Sequence, residues 1–576
     1  MSFAVEWNSR IPMRDGALLS ASIYRPADKG VHPTIVVMTP YGVDRTHAKS
    51  RYFAEHGLNV VVVDVRGRGE SDGVFEPHIH ERHDSSDVIE WSANQSWCDG
   101  NVAMFGGSYL GMAQWLAAAE HPSHLRTIAP CVPSMAGIDH PAVGGSFTPF
   151  YVQWLALTGG RSPQFNAIDD QDYWLDVYRR LYLEHRPFGE LANLSGNPSR
   201  IFDTWIAHQT MDAYWDQQIP SRAEFEAIAI PVLTIGGLYD DALVATVAFY
   251  TRHNAAAGGI AADHHLLLGP WDHAGAQNPR PEVGGLKFAK ALLDLNALHV
   301  AWYQWVMQGR AKPSLMKHRV VYYVTGEESW RTADRIEDVT QSRKTLFLHS
   351  RNGEANDVFY SGRLDETDSA SPPATYKNDP LDTRPADLIG PIDLVTPITL
   401  FDQTLALNTF GNGLIYHTDP LPEAMFLAGF IEIHLWIALD VPDADFRVSL
   451  YQILPTGESL ILGETLLRAR YRRSFREAEF PEPGVPIEYV FDRLAFQSRL
   501  IARYSRFRFV VSSPNTPYNQ KNYNSGGDVM WETAADARVA NVTVFHEPPH
   551  ASYILLPVGN PNTTVIADDV LREWLQ

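Results

Sequence analysis

The run Asn101–Ala119, NVAMFGGSYLGMAQWLAAA, limits what this chain can fold into more than any other stretch. Asn101 to Phe105 turns apolar and ends in Met104 and Phe105, as a short buried strand does. Leu110, Ala113, Trp115, Leu116 and Ala119 then support a helix starting at Tyr109. Gly106, Gly107 and Ser108 fill the turn between them. A serine held at a sharp strand-to-helix turn is the pattern of a nucleophile elbow. Small residues are needed where chain passes close to chain, and the serine sits in a strained backbone conformation. The helix N-terminus aims free N–H groups at negative charge forming on a substrate. Ser108 is therefore the candidate nucleophile, with an ordinary Gly-Gly-Ser turn as the plain alternative. The spacing is unusual: Leu110 stands two places after the serine and Gly111 three, giving G-x-S-x-x-G.

A chain of 576 residues exceeds a single core, so two to four domains are expected. Its 47 basic and 68 acidic residues leave a net charge of −21, which argues against nucleic acid and anionic membrane as partners. Cys98 and Cys131 are too few for a disulfide framework. The opening MSFAVEWNSRIPMRDG has no apolar h-region, and no apolar run reaches membrane-spanning length. A cytoplasmic protein is the expectation. The 15 Trp, 24 Tyr and 26 Phe point to large buried surfaces or an aromatic pocket.

Up to about Pro130 strand and helix patterns alternate. Ala17–Tyr24 reads as an edge strand, Thr34–Thr39 as a continuous apolar run of the kind found in strands covered on both faces, and Leu58–Val65 as a second buried strand. His47–Glu55 and Glu81–Asn94 read as helices, Arg66–Gly73 as a loop and Thr127–Val132 as a strand. Such alternation predicts a parallel sheet between helical layers. From Pro133 to Ile228 strands vanish and aromatic-rich helices follow, which reads as an inserted helical cap. Pro231–Gly236 and His264–Leu268 resume the sheet, and Leu286–Met307 reads as one long helix. Beyond Lys317 come short strands: His318–Val324, Lys344–His349, Ala428–Leu439, Phe446–Ile453, Ser459–Arg468, Ile487–Phe491, Leu500–Val511, Ala540–His546 and Ser552–Pro557. Asn352–Asp387 reads as a polar, Pro-rich connection. The expected architecture is an α/β core in two parts, residues 1–132 and 229–343, with a helical cap at 133–228 and an antiparallel jelly roll at 344–576.

A serine hydroxyl needs a base within hydrogen-bond reach, and the base needs an orienting acid. Three strand ends offer them in the order Ser, Asp, His: Ser108, then Asp240 after PVLTIG, then His273 after HHLLLGPWD. Singly, an aspartate there is as easily a helix cap and a histidine a surface residue; the order makes the set specific. Spacing alone leaves Asp240 and its neighbour Asp241 unresolved. For the oxyanion, the amide of Tyr109 is the natural first donor. The loop after Thr34–Thr39 reads Pro40-Tyr41-Gly42, with no N–H on Pro40. The Tyr41 hydroxyl is then the candidate second donor, a tyrosine packed at a strand end being the alternative.

The run FEPHIHERHDSSDVIEWSANQSWCDGNVAMFGGSYLGMAQW, Phe75–Trp115, resembles the cocaine esterase family of α/β-hydrolases, which also holds α-amino-acid ester hydrolases and Xaa-Pro dipeptidyl peptidases. So do TPYG from Thr39, DVRGRGESDG from Asp64, HQTMDAYW from His208, GLYDD from Gly237, GPWDH from Gly269, VTGEESWR from Val324 and YNSGGD from Tyr523. The resemblance implies an α/β-hydrolase core with a helical cap and a C-terminal jelly roll. It places the nucleophile on Ser108, the acid on Asp240, the base on His273 and the oxyanion donors on Tyr41 and Tyr109.

The resulting expectation is a serine hydrolase acting on a small-molecule ester or amide, with no metal and no cofactor. The alternatives are an acyltransferase using the same acyl-enzyme, or an Xaa-Pro dipeptidyl peptidase or α-amino-acid ester hydrolase. Members that select an α-amino group carry acidic residues two and three places past the triad acid, where this chain has Ala242 and Leu243. An apolar or aromatic acyl group is expected instead, with Tyr52, Phe150, Tyr151, Trp154 and Trp271 as candidate lining residues. Relatives also suggest a homodimer through the jelly roll.

Overall fold

The computed structural model describes residues 3–28, 30–258, 263–392, 397, 399–492 and 494–576. Its first sheet has eleven strands. The first six are β1 (Phe3–Pro12), β2 (Leu18–Pro26), β3 (His32–Thr39), β4 (Asn59–Asp64), β5 (Cys98–Gly107) and β6 (Leu125–Cys131). After an excursion come β7 (Val232–Gly237), β8 (His264–Gly269), β9 (Val320–Val324) and β10 (Ser329–Ala333). The spatial order is β1-β2-β4-β3-β5-β6-β7-β8-β9-β10, closed by Thr564–Val565. From β4 to β9 neighbours run parallel. Every residue of β4, β7 and β8 is buried, which is why apolar residues dominate these segments without alternation. Helices α1 (His47–Glu55), α2 (Glu81–Ala93) and α3 (Tyr109–Ala119) follow β3, β4 and β5.

Between β6 and β7 lie a two-strand hairpin, Ala142–Val143 with Ser146–Phe147, and a set of short helices that includes α4 (Phe150–Leu157), α5 (Gln171–Leu183) and α6 (Arg200–Ala207). Trp174, Tyr178, Trp205 and Trp215 are buried there. α7 (Leu243–Ala256) follows β7.

Several boundaries differ from the sequence reading. The helix expected over Leu286–Met307 is α8, Leu295–Gln308. Asp294 caps it by accepting from the Ala297 amide at 2.9 Å, and Leu286–Lys287 pairs with Glu282–Val283 instead. A capping aspartate thus marks the start that apolar periodicity blurred. Ala428–Leu439 is two strands, broken at Gly429, whose φ is +125°. Leu500–Val511 also splits, at the turn where Ser505 N donates to Ala502 O. The connection Asn352–Asp387 contains strands Gly362–Asp365 and Ala374–Asn378. In the second of these only Ala374, Tyr376 and Asn378 face inward, too short an alternation to stand out.

From Thr340 onward the chain builds a second sheet of thirteen strands. Its pairs are antiparallel apart from Gly362–Asp365 beside Gly413–His417. Leu346, Ile433, Phe446 and Phe509 lie in its core. A buried polar network joins this β domain to the hairpin after β6. Arg468 pairs with Asp445 at 2.8 Å and Arg470 with Asp443 at 2.8 Å, while Asn522 donates to both carboxylates. Arg468 also donates to Gly145 O at 2.8 Å through its side chain and to Gly144 O at 2.8 Å through its amide. Gly144 has φ +58°, and a Cβ there would lie 1.9 Å from Leu466 O. Gly144→Ala is expected to cost about 1–3 kcal/mol of stability. Thermal unfolding checks this; an unchanged Tm would show that the hairpin is not held as described.

Candidate active site

Ser108 sits between β5 and α3 with φ 59° and ψ −122°. This region is costly for a residue with a Cβ, and the surroundings hold it. The Ser108 amide donates to Cys131 O at 2.9 Å, and its carbonyl accepts from Gly111 N and Met112 N. Three glycines make the turn fit. A Cβ on Gly106 would lie 2.4 Å from Leu110 Cβ, one on Gly107 2.6 Å from Gln277 Cδ, and one on Gly111 2.9 Å from Cys131 O. Gly111 thus lets α3 pass the end of β6, which accounts for a glycine three places after the serine.

Asp240 and His273 stand on the turns that follow β7 and β8. His273 Nδ1 lies 2.8 Å from Asp240 Oδ1 and 3.6 Å from Asp241 Oδ1. The side chain of Asp240 is fully buried, whereas that of Asp241 is 63% exposed. Geometry therefore separates two neighbours that spacing could not. Asp240 Oδ1 also accepts from Ala242 N at 3.2 Å. With Nδ1 donating to Asp240, Nε2 of His273 carries the lone pair. Burial alone would lower the His273 pKa; the charge and hydrogen bond of Asp240, with Asp241 and Asp139 behind it, outweigh burial and raise it to about 9.

Ser108 and His273 open on one cavity of about 420 Å³. Tyr41, Tyr109, Phe150, Tyr151 and Trp154 also line it. The Tyr41 hydroxyl accepts from Trp154 Nε1 at 3.0 Å and is hydrogen-bonded to Ser108; burial pushes its pKa up to about 12, so it stays a donor. The Tyr109 hydroxyl is engaged elsewhere: it donates to Glu81 and accepts from His78 N, and its ring stacks on His78 at 3.9 Å. Only its amide, in the first turn of α3, is left for a ligand. Glu81 is buried, which lifts its carboxyl to about 7.

Two expected lining residues are elsewhere. Trp271 is fully buried, its Nε1 donating to Ala291 O at 2.9 Å, so it fills the core beneath the turn. Tyr52 packs on His56, its neighbour one helical turn on, with the tilted rings 4.1 Å apart at their centroids, and does not line the cavity. Sequence reasoning passed over Asp139, which lines the cavity, accepts from Met135 N at 2.7 Å and has its carboxyl raised to about 7 by burial. Its signal was an acidic residue in the loop after β6, at a further strand end beside the site. Arg45 also lines the cavity, its guanidinium 4.2 Å from the Phe165 ring centroid.

Comparisons with known proteins cover the chain nearly end to end. Residues 15–275 match the model of the X-Pro dipeptidyl-peptidase (S15 family), and residues 316–555 match the X-Pro dipeptidyl-peptidase C-terminal non-catalytic domain. A cocaine esterase of Rhodococcus sp. (strain MB1 Bresler) is 27% identical, covering 97% of this chain and 99% of that protein. Among solved structures, an α-amino acid ester hydrolase superposes with a TM-score of 0.82 at 21% identity, covering 97% of each chain. An aminopeptidase from a marine sediment Thaumarchaeota archaeon gives 0.81 at 20% identity, covering 98% of this chain and 97% of that one. No helix among the described residues is long and apolar enough to cross a membrane. The matched domain pair and the end-to-end likeness converge: residues 15–275 and 316–555 match the two X-Pro dipeptidyl-peptidase (S15 family) domains, the chain is similar to cocaine esterase along nearly its whole length, and it is a serine hydrolase.

Proposed function

We propose that this enzyme hydrolyses carboxylic esters of apolar or aromatic acids through an acyl-enzyme on Ser108. The observation that carries the reading is the buried 2.8 Å contact between His273 and Asp240 on the cavity that Ser108 opens into. His273 Nε2 takes the Ser108 proton as Oγ attacks the acyl carbon. The Tyr41 hydroxyl and the Tyr109 amide donate to the oxyanion. The alcohol leaves with the proton from His273, and water, deprotonated by the same nitrogen, releases the acid. Phe150, Tyr151, Trp154, Leu157 and Ile168 supply the apolar wall. In this reading the helices between β6 and β7 form a cap, and the β domain is a jelly roll that buttresses one wall through the 142–147 hairpin.

A second reading rests on Asp139 and Asp241, which flank His273 where Ala242 and Leu243 left the sequence without an acidic cluster. Two carboxylates beside the acyl centre would favour a substrate carrying an amine. A panel of p-nitrophenyl acetate, butyrate, benzoate and phenylacetate, an amino-acid ester and a Xaa-Pro anilide separates the readings. Turnover of the plain esters supports the first. Turnover confined to the amine-bearing substrates overturns it in favour of the second. Partition of the acyl group to an added amine or alcohol would instead mark acyl transfer.

Tyr41→Phe is expected to lower kcat by about 10²- to 10³-fold with little change in KM, because the hydroxyl acts on charge that exists only in the transition state. Steady-state kinetics on the best ester of the panel check it, and an unaffected kcat would remove Tyr41 from the oxyanion hole.

A further inference from the structure

Lys49 is a desolvated cation that the mechanism above leaves unused. It projects from α1, and its Nζ donates to Gln277 O at 2.9 Å and lies 4.9 Å from the centroid of the Phe105 ring. Burial draws its pKa down to about 8, against the opposing effects of Cys131 and Asp294. Such a group is costly to keep unless the one bond it makes matters.

The bond it makes is to the turn that carries His273. Asp272 Oδ1 accepts from Gly275 N at 2.6 Å, and Asp272 O accepts from Ala276 N at 2.9 Å. Ala274 O accepts from both Gln277 N and Asn278 N. Residues 272–278 therefore form a helix-like turn, with His273 at its start and unclaimed carbonyls at its end. Arg280 fixes the start by pairing with Asp272 at 2.8 Å. Two side chains take successive carbonyls at the end. Cys131 Sγ donates to Ala276 O at 3.2 Å, and Lys49 donates to Gln277 O. A cation is favoured at that negative pole.

The same residues reach the nucleophile. Cys131 O accepts the Ser108 amide at 2.9 Å, so one residue holds the elbow with its backbone and the histidine turn with its thiol. The Gln277 side chain lies against Gly107, close enough that a Cβ there would be 2.6 Å from Cδ. Phe105, beneath the Lys49 ammonium, is three residues before Ser108 in β5.

We propose that Lys49 and Cys131 are positioning residues that together clamp the His273 turn to the strand ends carrying Ser108. The proposal rests on the reading of Ser108 and His273 as nucleophile and base. A loosened clamp would let the imidazole drift from both Oγ and Asp240. Misplacement of that kind costs reaction rate more than binding.

The test uses the full-length chain with Lys49→Met, Lys49→Arg and Cys131→Ala. Ester turnover, the pH profile of kcat/KM and thermal unfolding are measured on each. Lys49→Met is expected to lower kcat about 10- to 100-fold with KM unchanged. Its acid limb should move down toward the ordinary histidine value of 6.5 as the Asp240 contact weakens. Tm should hold, because the buried charge goes together with its bond, and Lys49→Arg should recover part of kcat by keeping a donor. A Lys49→Met enzyme with the parent kcat and pH profile overturns the proposal, as does a loss of kcat that merely tracks the folded fraction. Should Lys49→Met fail to fold, Cys131→Ala decides: parent kcat there overturns the clamp. Ser108→Ala separates the two levels of failure. Turnover surviving in Ser108→Ala removes the triad reading itself, whereas a dead Ser108→Ala beside an unaffected Lys49→Met removes the clamp alone.

Discussion

Ser108→Ala should lose about 10⁴- to 10⁶-fold in kcat on any ester the enzyme turns over, the range seen when the nucleophile of a serine triad is removed. Without Oγ there is no acyl-enzyme, and His273 can at most assist a water that nothing else places. Fold and binding should survive. Ser108 is half-buried on the cavity, and alanine removes only the hydroxyl while the backbone keeps its bond to Cys131 O. The backbone strain at φ 59° remains in the variant, so Tm should shift little. A rise would indicate that the hydroxyl itself is held at a cost, as groups at active sites often are. Burst kinetics with a p-nitrophenyl ester, with mass spectrometry of the trapped acyl group on the parent chain, read the outcome. A label on another residue, or an undiminished rate, would remove Ser108 from the mechanism. Adding His273→Ala to Ser108→Ala should cost little more, because the two act as a unit.

Acid should unfold this protein well before its carboxylates account for it. His78, His140, His253, His264, His265, His299, His417 and His546 are buried, and desolvation holds each pKa below the ordinary 6.5. For His140, His299 and His417 the value falls to about 3, and for His265 and His546 to about 4. The sign follows from which state takes the proton. The unfolded chain binds it near pH 6.5 and the native chain does not, so stability is full above 6.5 and falls as pH drops below it. Each such histidine costs about 1.4 kcal/mol per pH unit until its folded value is reached. Glu81, Asp139, Asp64, Asp241 and Asp443 act oppositely, since their raised values let the native state bind protons first; His273 does so only between about pH 9 and 6.5, above this range. Eight histidines outnumber those five carboxyls, so Tm should fall between pH 6.5 and 5. Calorimetry across that range tests it. A flat Tm would mean that the buried imidazoles accept protons in place. One pair shows why they should not: His253 Nδ1 faces His264 Nδ1 at 2.9 Å, with Trp115 packed on both rings. A proton added there would place an unpaired charge in an apolar layer, and a second would set charge against charge.

The division between chain and fold is visible in single residues. Sequence by itself determined the elbow, because a buried strand, two glycines, a serine and a helix are all local, and local propensity suffices to write them. It also determined the parallel core, since strands buried on both faces leave apolar runs without alternation, such as the four valines of NVVVVD. What only the tertiary structure decided lies between segments far apart in the chain. Asp240 and Asp241 are equivalent in spacing; burial against the His273 turn distinguishes them. Asp139 joined the site because the chain after β6 passes beside His273, and Trp271 left it because its ring turned into the core. Lys49 gave no signal at all, since its partner is a backbone carbonyl 228 residues away. Local pattern specifies elements, whereas a site is a set of distances between them. Those distances exist only once the sheet order has brought the ends of β3, β5, β7 and β8 to one side.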